Sequence, residues 1–474
     1  MVETPLHDLA EELPREQEEA AQQLDEDNRL KPSFVAAVVA ALSDRDEARV
    51  YQLVEPLHPA DIADLFELLS SDLRPWLASA ITDLLTGEVI AELNDYVRED
   101  MIEALAPEAV AEIAEQLDTD DAVALIEDLE PEDQRAVLAE MEPEDRAAIE
   151  SALSYPEESA GRLMQRELVA VPEHMTVGDL IDYMRDNEDL PTEFWEVFVV
   201  DHRHRPVGTC QLSWILRTPR SIALSDVMKR NQALIPVTMD QEEVALRFQK
   251  YALISAAVVD ESGRLVGQLT VDDIVHIIQE EAGEDALLLS GAGDGDINEP
   301  IRDAYSARVR WLLANLLTAS VASFVISRFE HVIAQMVALA VLMPIVAGIG
   351  GNAGTQTLAV TVRALATNQL TNSNTWRAVR REISIALLNG VTVALVIGVI
   401  VSLIFGNMAL GGVIALAMLC NIVIAGLAGV LVPLTLERLK ADPAISSSVF
   451  VTMTTDSMGF LVFLGLATAF NLVG

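Results

Sequence analysis

The stretch Ile445-Ser-Ser-Ser-Val-Phe-Val-Thr-Met-Thr-Thr-Asp456-Ser-Met-Gly-Phe-Leu-Val-Phe-Leu-Gly-Leu-Ala-Thr-Ala-Phe-Asn-Leu472 is a 28-residue run with a single acid in its middle. A helix needs about 20 predominantly apolar residues to cross the hydrocarbon core of a bilayer, so the run reads as a membrane span. A carboxylate at that depth costs several kcal/mol unless it faces water, protein or a cation. The run contains no Lys, Arg or His to pair with Asp456. A passing cation is the most economical counter-charge.

Asp442-Pro443-Ala444, just upstream, has the residue types that start a helix, with Asp as N-cap and Pro in the first turn. Fourteen residues separate Asp442 from Asp456, close to four turns, or about 21 Å along the axis. Both acids therefore share a face, with Ser446 and Thr452 near it. They read as a cytoplasmic-mouth acid and a mid-pore acid. One carboxylate holds a divalent cation poorly. A symmetric dimer supplies two copies of Asp456, which suits hydrated Mg²⁺, an ion that sheds water reluctantly.

Four further apolar segments precede this one, at about 309–329, 332–365, 383–405 and 409–436. The second contains Met343-Pro344 and then Gly348-Ile-Gly-Gly-Asn-Ala-Gly-Thr-Gln356. Its proline and four glycines are expected to break or bend the helix, which is tolerated at lipid depth only against protein or a watery path. Close helix packing accounts for the glycines; Asn352 and Gln356, four residues apart, read better as amides lining a pore. Asn421, alone in the fourth segment, reads as an interhelical hydrogen bond. Arg302, Arg308 and Arg310 precede the first segment, Arg363, Arg377, Arg380 and Arg381 lie between the second and third, and Arg438 and Lys440 between the fourth and fifth. The opposite side has only Arg328, offset by Glu330. The positive-inside rule then puts the N-terminus in the cytoplasm and the C-terminus outside a multi-pass cell-membrane protein.

The net charge of −43 hides a division: residues 306–474 hold nine Lys/Arg and five Asp/Glu, whereas residues 1–305 hold 22 and 69. A surface of that sign is a poor partner for nucleic acid. Solvation accounts for much of the charge; the sharper reading is a sink for divalent cations. Cys210 and Cys420 suggest neither a disulfide framework nor a zinc site. The first 30 residues are polar and acidic, without the pattern of a cleavable signal peptide. No Ser-His-Asp set, phosphate loop or metal-hydrolase spacing is present, which argues against an enzyme.

From Leu57 an apolar residue recurs every twelve positions, at Leu57, Leu69, Ile81, Leu93, Leu105, Leu117, Leu129 and Met141. Two residues after each stands a helix-start type: Pro59, Ser71, Asp83, Asp95, Pro107, Thr119, Pro131 and Pro143. Helices of about nine residues cannot bury their apolar stripes alone, so the spacing predicts a stacked helical solenoid. Between about 160 and 278 two copies of one unit follow. Met164 and Val171-Pro172 match Met228 and Ile235-Pro236 at a spacing of 64, and Phe198-Val199-Val200-Asp201 matches Ala257-Val258-Val259-Asp260 at 59. The layout resembles a tandem cystathionine-β-synthase (CBS) pair, a module that senses nucleotides in many families. Its adenosine signature survives in the second copy as Gly267, Thr270 and Asp273, whereas the first copy has Gly208, Gln211 and Trp214. An adenine nucleotide such as ATP is one ligand for Thr270 and Asp273; helix capping by Thr270 explains the same residues without one. The following helix carries Glu281, Glu284 and Asp285 on one face, where like charges repel unless a hard cation such as Mg²⁺ or Ca²⁺ intervenes. Ser290 to Asp296 reads as a flexible joint.

Pro344 with Gly350-Gly-Asn-Ala-Gly-Thr-Gln356, then Asp442-Pro443, then Asp456, together resemble the MgtE family of magnesium channels, and the order of parts matches over nearly the whole chain. The resemblance implies an acidic lead-in (1–32), an all-α superhelical N-domain (33–158), an α/β tandem CBS pair (159–279), a connecting or plug helix with a hinge (280–305) and a five-helix transmembrane domain (306–474). It further implies a homodimer with Asp456 recognising hydrated Mg²⁺ at the dimer axis, and cytoplasmic Mg²⁺ closing the pore through Asp272, Asp273, Glu281, Glu284 and Asp285. His276 stands where the family pattern has an acid. A proton- or ion-coupled carrier using Asp456, and a non-transporting membrane-anchored sensor, are the competing readings.

Overall fold

The computed structural model describes residues 23–470, apart from 103–104, 128, 188, 192–193, 231, 292–294, 296 and 372 and the side chains of 285 and 444–446. The first 22 residues of the acidic lead-in and most of the joint at Ser290–Asp296 thus lie outside the described residues. The chain divides into two compact units, Met1–Gln279 and Glu280–Gly474.

In the first unit the twelve-residue repeat becomes the helices Pro59–Leu68, Asp95–Ile102, Pro107–Ala114, Thr119–Glu127, Pro131–Glu140 and Pro143–Leu153, each starting on the residue predicted. Two repeats depart. The helix expected from Ser71 starts at Arg74, and Asp83 falls in a 3₁₀ turn ahead of the short helix Gly87–Ala91. Pro75 is the cause of the first departure: without an N–H it fits only the first helical turn, so the start shifts to meet it. Leu57, Leu69, Ile81, Leu93 and Met141 are buried, as are Leu65, Leu77, Val89, Leu125, Val137 and Ile149, each eight residues after the start of its repeat. Leu105 is exposed, an exception to the pattern. One apolar core runs from Leu30 to Ala152, as stacking of units too small to fold alone requires.

The two copies that follow each build a three-stranded sheet, β1 (Ala170–Pro172), β2 (Glu196–Val200) and β3 (Pro206–Gln211), then β4 (Leu234–Pro236), β5 (Ser255–Val259) and β6 (Leu265–Thr270). β1 runs parallel to β2 with Ala170 opposite Phe198, and β4 parallel to β5 with Leu234 opposite Ala257. Both antiparallel pairs carry an irregularity at the same place, between Val199 and Val200 and between Val258 and Val259. The lead segments are exchanged between copies. Gln165 and Gln268 exchange backbone hydrogen bonds of 2.9 and 2.8 Å, and Thr209 and Lys229 do the same at 3.1 and 2.8 Å. A Cβ on Gly267 would lie 2.7 Å from Met164 Sδ, and one on Gly208 would lie 2.7 Å from Met228 Sδ. Each matched Met therefore packs on the glycine of the other copy, which binds the pair into one body.

Among the described residues the second unit holds five helices long and apolar enough to cross a membrane: Ile301–Ser327, Val337–Ala366, Thr375–Phe405, Met408–Arg438 and one within Pro443–Ala469. The fourth is the hub, with 61% of its most apolar stretch buried against 6% for the first. The expected break in the second helix is absent: Val337–Ala366 is helical straight through Pro344 and the glycines. Pro344 is itself exposed, and of the glycines Gly350 and Gly354 serve close approach. A Cβ on Gly350 would stand 2.1 Å from Asn421 Nδ2, and one on Gly459 2.7 Å from the same atom. Asn421 is fully buried and donates from Nδ2 to Val346 O at 2.9 Å, the interhelical bond its solitary position suggested. Gly350→Ala is expected to displace Asn421 and lower stability by about 1–3 kcal/mol. Thermal unfolding in detergent should show the loss, and it should shrink in the Gly350→Ala/Asn421→Ala double variant, because the clash and the bond involve the same side chain.

Candidate cation sites

Asp456 is half-buried on the fifth membrane helix. Its neighbour Thr455 is buried, with Oγ1 donating to Thr452 O at 3.0 Å and its methyl group facing the Gly354 position of the second helix. Seating Thr455 inside the bundle turns Asp456 about 100° away from that contact. None of the ion pairs among the described residues includes Asp456. Asp442 is exposed at the start of the same helix, and Thr452 is exposed between them; the side chain of Ser446 lies outside the described residues.

Asn352 and Gln356 are both exposed. Gln356 lines a cavity of about 190 Å³ walled by the second, third and fourth membrane helices, where it meets Thr357, Arg381, Glu382 and Asn389. Asp456 is not in that wall. Within one chain, then, the amide and the acid read together from the sequence open onto different surfaces.

The connecting helix runs unbroken from Val271 to Ser290. At its start Asp273 accepts from Thr270 Oγ1 at 2.5 Å and from Gln165 Nε2 at 3.2 Å, and it faces the carboxyl group of Asp120. Asp120 and Asp121 occupy the first turn of the helix Thr119–Glu127 in the solenoid. That helix is held to the CBS pair by Glu167, whose carboxylate accepts from Thr119 N at 3.2 Å and from Thr119 Oγ1 at 2.7 Å, and by Arg162, paired with Glu127 at 3.2 Å. Burial, reinforced by the neighbouring carboxylates, pushes Asp121 and Asp273 up to about 6 and holds Asp120 well above the usual range. Oδ1 of Asp120 is buried with no partner among the described residues. Asp272 and His276 are exposed, Glu281 is half-buried and Glu284 exposed; the Asp285 side chain lies outside the described residues. Among the described residues no three His, Cys, Asp or Glu side chains form a closed metal cage. Any cation held here is bound by one or two carboxylates and keeps much of its water, as Mg²⁺ does.

A family model described as a divalent cation transporter matches residues 343–466, one described as the MgtE intracellular N domain matches 57–158, and CBS-domain models match 160–210 and 224–280. The chain is 32% identical to the magnesium transporter MgtE of Enterococcus faecalis over 322 residues, 68% of this chain and 71% of the relative. This chain belongs to the MgtE family. It is likewise 32% identical to the magnesium transporter MgtE of Thermus thermophilus over 323 residues, 67% of this chain and 71% of that one. Among solved structures, the cytosolic domain of the Mg²⁺ channel MgtE in complex with ATP matches 51% of this chain and 99% of its own length at 28% identity, with a TM-score of 0.48.

For this MgtE-family chain, Asp120 and Asp121 are the acids that sequence reasoning passed over. Their only signal is a carboxylate pair in a first helical turn, which helix capping and the helix dipole explain equally well. Raised carboxyl values mean that the folded state binds protons more tightly than the unfolded one. Stability from these groups is therefore present below about 4, the ordinary carboxylate value, and is lost as pH rises through about 6. Metal-free protein is expected to lose thermal stability between about pH 4 and 6, and Asp273→Asn to reduce that slope by about 1.4 kcal/mol per pH unit for each proton no longer taken up.

Proposed function

We propose that this protein is a homodimeric, Mg²⁺-selective channel that conducts Mg²⁺ into the cytoplasm down its electrochemical gradient and is closed by cytoplasmic Mg²⁺. The observation that carries the reading is Asp456, a half-buried carboxylate on a membrane helix with no fixed cation paired to it among the described residues. Two copies of Asp456 across a two-fold axis make a divalent site that neither copy makes alone. Such a site attracts the ion through its water shell, so the ion need not dehydrate fully to bind or to leave. Asp442 gathers cations at the cytoplasmic mouth and Asn352 offers an amide oxygen along the path, whereas Gln356 opens onto the cavity beside Glu382. The basic residues flanking the helices support a cytoplasmic N-terminus and an outer C-terminus, with lipid around the apolar faces. Transport rather than catalysis is the activity.

For closure we assign the sensor to the carboxylates at the start of the connecting helix and along it. Asp120, Asp121 and Asp273 repel when ionised, and a hydrated Mg²⁺ removes that cost and draws the solenoid onto the CBS pair. Because Val271–Ser290 is one helix of 20 residues, about 30 Å long, a cation that fixes Asp272 and Asp273 also restrains Glu281, Glu284 and Asp285. His276, exposed between the two groups, supplies no carboxylate there and so weakens cation sensing. Thr270 and Asp273 also retain the residue types of adenosine-binding CBS copies. An adenine nucleotide there competes with the cation for Asp273.

In liposomes, Asp456→Asn is expected to reduce Mg²⁺ flux to background while the dimer is retained on gel filtration; undiminished flux removes Asp456 from the pore. Imposing a proton gradient should leave wild-type flux unchanged, and a flux that follows the gradient identifies a coupled carrier instead. The double variant Glu281→Gln/Glu284→Gln should conduct at internal Mg²⁺ concentrations that shut the wild type. Inhibition at unchanged Mg²⁺ concentration would place the sensor elsewhere.

A further inference from the structure

The cavity lined by Gln356 holds a second membrane acid that the pore reading leaves without a role. Glu382, on the third membrane helix, is 8% exposed, and its only ion pair among the described residues is with its sequence neighbour Arg381, Nη1 to Oε1 at 2.6 Å. The two partners are unequally seated: the Glu382 side chain is 10% exposed, the Arg381 side chain 66%. A carboxylate is thus fixed in the wall while its counter-charge reaches in from outside on a flexible stem. Around it stand the side chains of Gln356, Thr357 and Asn389. The side-chain amides of Gln356 and Asn389 have no protein partner among the described residues.

A purely structural ion pair needs no cavity, and Gln356 and Asn389, exposed on membrane-length helices, are costly there unless water or an ion meets them. The volume of about 190 Å³ accommodates a cation with about six waters, at roughly 30 Å³ of liquid volume each. The donor set is one carboxylate, two amide oxygens and a hydroxyl, all hard oxygens, which is the chemistry of a hydrated divalent cation of the Mg²⁺ type. The cavity lies at the end of the bundle that carries Arg363, Arg377, Arg380 and Arg381.

We propose that Glu382, with Gln356 and Asn389, forms a second divalent-cation site inside each protomer, and that Arg381 is a tethered cation that occupies Glu382 until the metal displaces it. The site is complete within one chain, so it differs from the Asp456 site, which needs the partner copy. It makes a sharp statement about direction. Removing the acid abolishes binding; removing the arginine strengthens it, because the metal no longer competes with a fixed positive charge. A structural pair predicts no change in cation affinity from either substitution.

The test uses Mn²⁺ as a paramagnetic probe on the full-length protein in detergent, in an Asp456→Asn, Cys210→Ser, Cys420→Ser background. A trifluoromethyl label is placed at Leu388→Cys, an exposed position beside the cavity wall and outside it. Mn²⁺ should broaden the fluorine resonance at a defined midpoint. Glu382→Gln should abolish the broadening, and Arg381→Gln should lower the midpoint about tenfold or more, since a unit charge at contact distance is removed. Broadening that is absent, or whose midpoint ignores both substitutions, overturns the proposal and leaves a structural ion pair. Should Glu382→Gln fail to fold, Arg381→Gln alone decides, an unchanged midpoint being the negative result. The outcome is independent of the pore assignment, which stands or falls on Mg²⁺ flux through Asp456→Asn.

Discussion

A carboxylate inside a membrane without a fixed counter-charge sets the terms for everything around it. Burying it in apolar packing is costly, and pairing it with Lys or Arg removes its use to an ion. The fifth helix of this protein meets the constraint by seating Thr455 in the bundle and leaving Asp456 half-exposed to one side. The exposed side needs either water or a second subunit. The homodimeric channel we propose provides both at once, with two acids facing a common aqueous path. Glu382 shows the alternative solution, a membrane acid neutralised by an arginine whose own side chain stays largely outside.

The same electrostatic tension governs the cytoplasmic part. Asp120, Asp121 and Asp273 are brought together by contacts that are not themselves acidic repulsions: Thr119 on Glu167, Glu127 on Arg162, and Asp273 on Thr270 and Gln165. These bonds hold like charges close enough to favour protons or cations over vacancy. A surface dense in acid is ordinarily only solvated. What distinguishes this cluster is that its members are half-buried and face one another, so that screening by water relieves them only in part.

Small residues decide how closely the parts approach. Gly350 and Gly459 leave room for one buried amide, Asn421, and Gly208 and Gly267 leave room for the exchanged methionines of the CBS pair. In each case the absent side chain is used by a residue on another element, which is why the glycines of the second membrane helix do not interrupt it.

What the sequence determined by itself is everything carried by near neighbours and by period. Five apolar runs, the twelve-residue helical repeat, the two copies offset by 64 and 59 residues, and the lone Asp456 are all local or periodic signals, and they were sufficient for the fold class and the family. Even their local exceptions have local causes, as Pro75 shows. The tertiary structure alone decided which chemistry meets. Asp120 and Asp273 lie 153 residues apart and converge because the solenoid docks on the CBS pair; no spacing rule encodes that. Gln356 shares a helix with the glycines that pack toward Asn421 and Thr455, yet its side chain opens onto Glu382. Which way each turn of a membrane helix faces depends on the neighbours it packs against, and those are fixed only when the bundle closes.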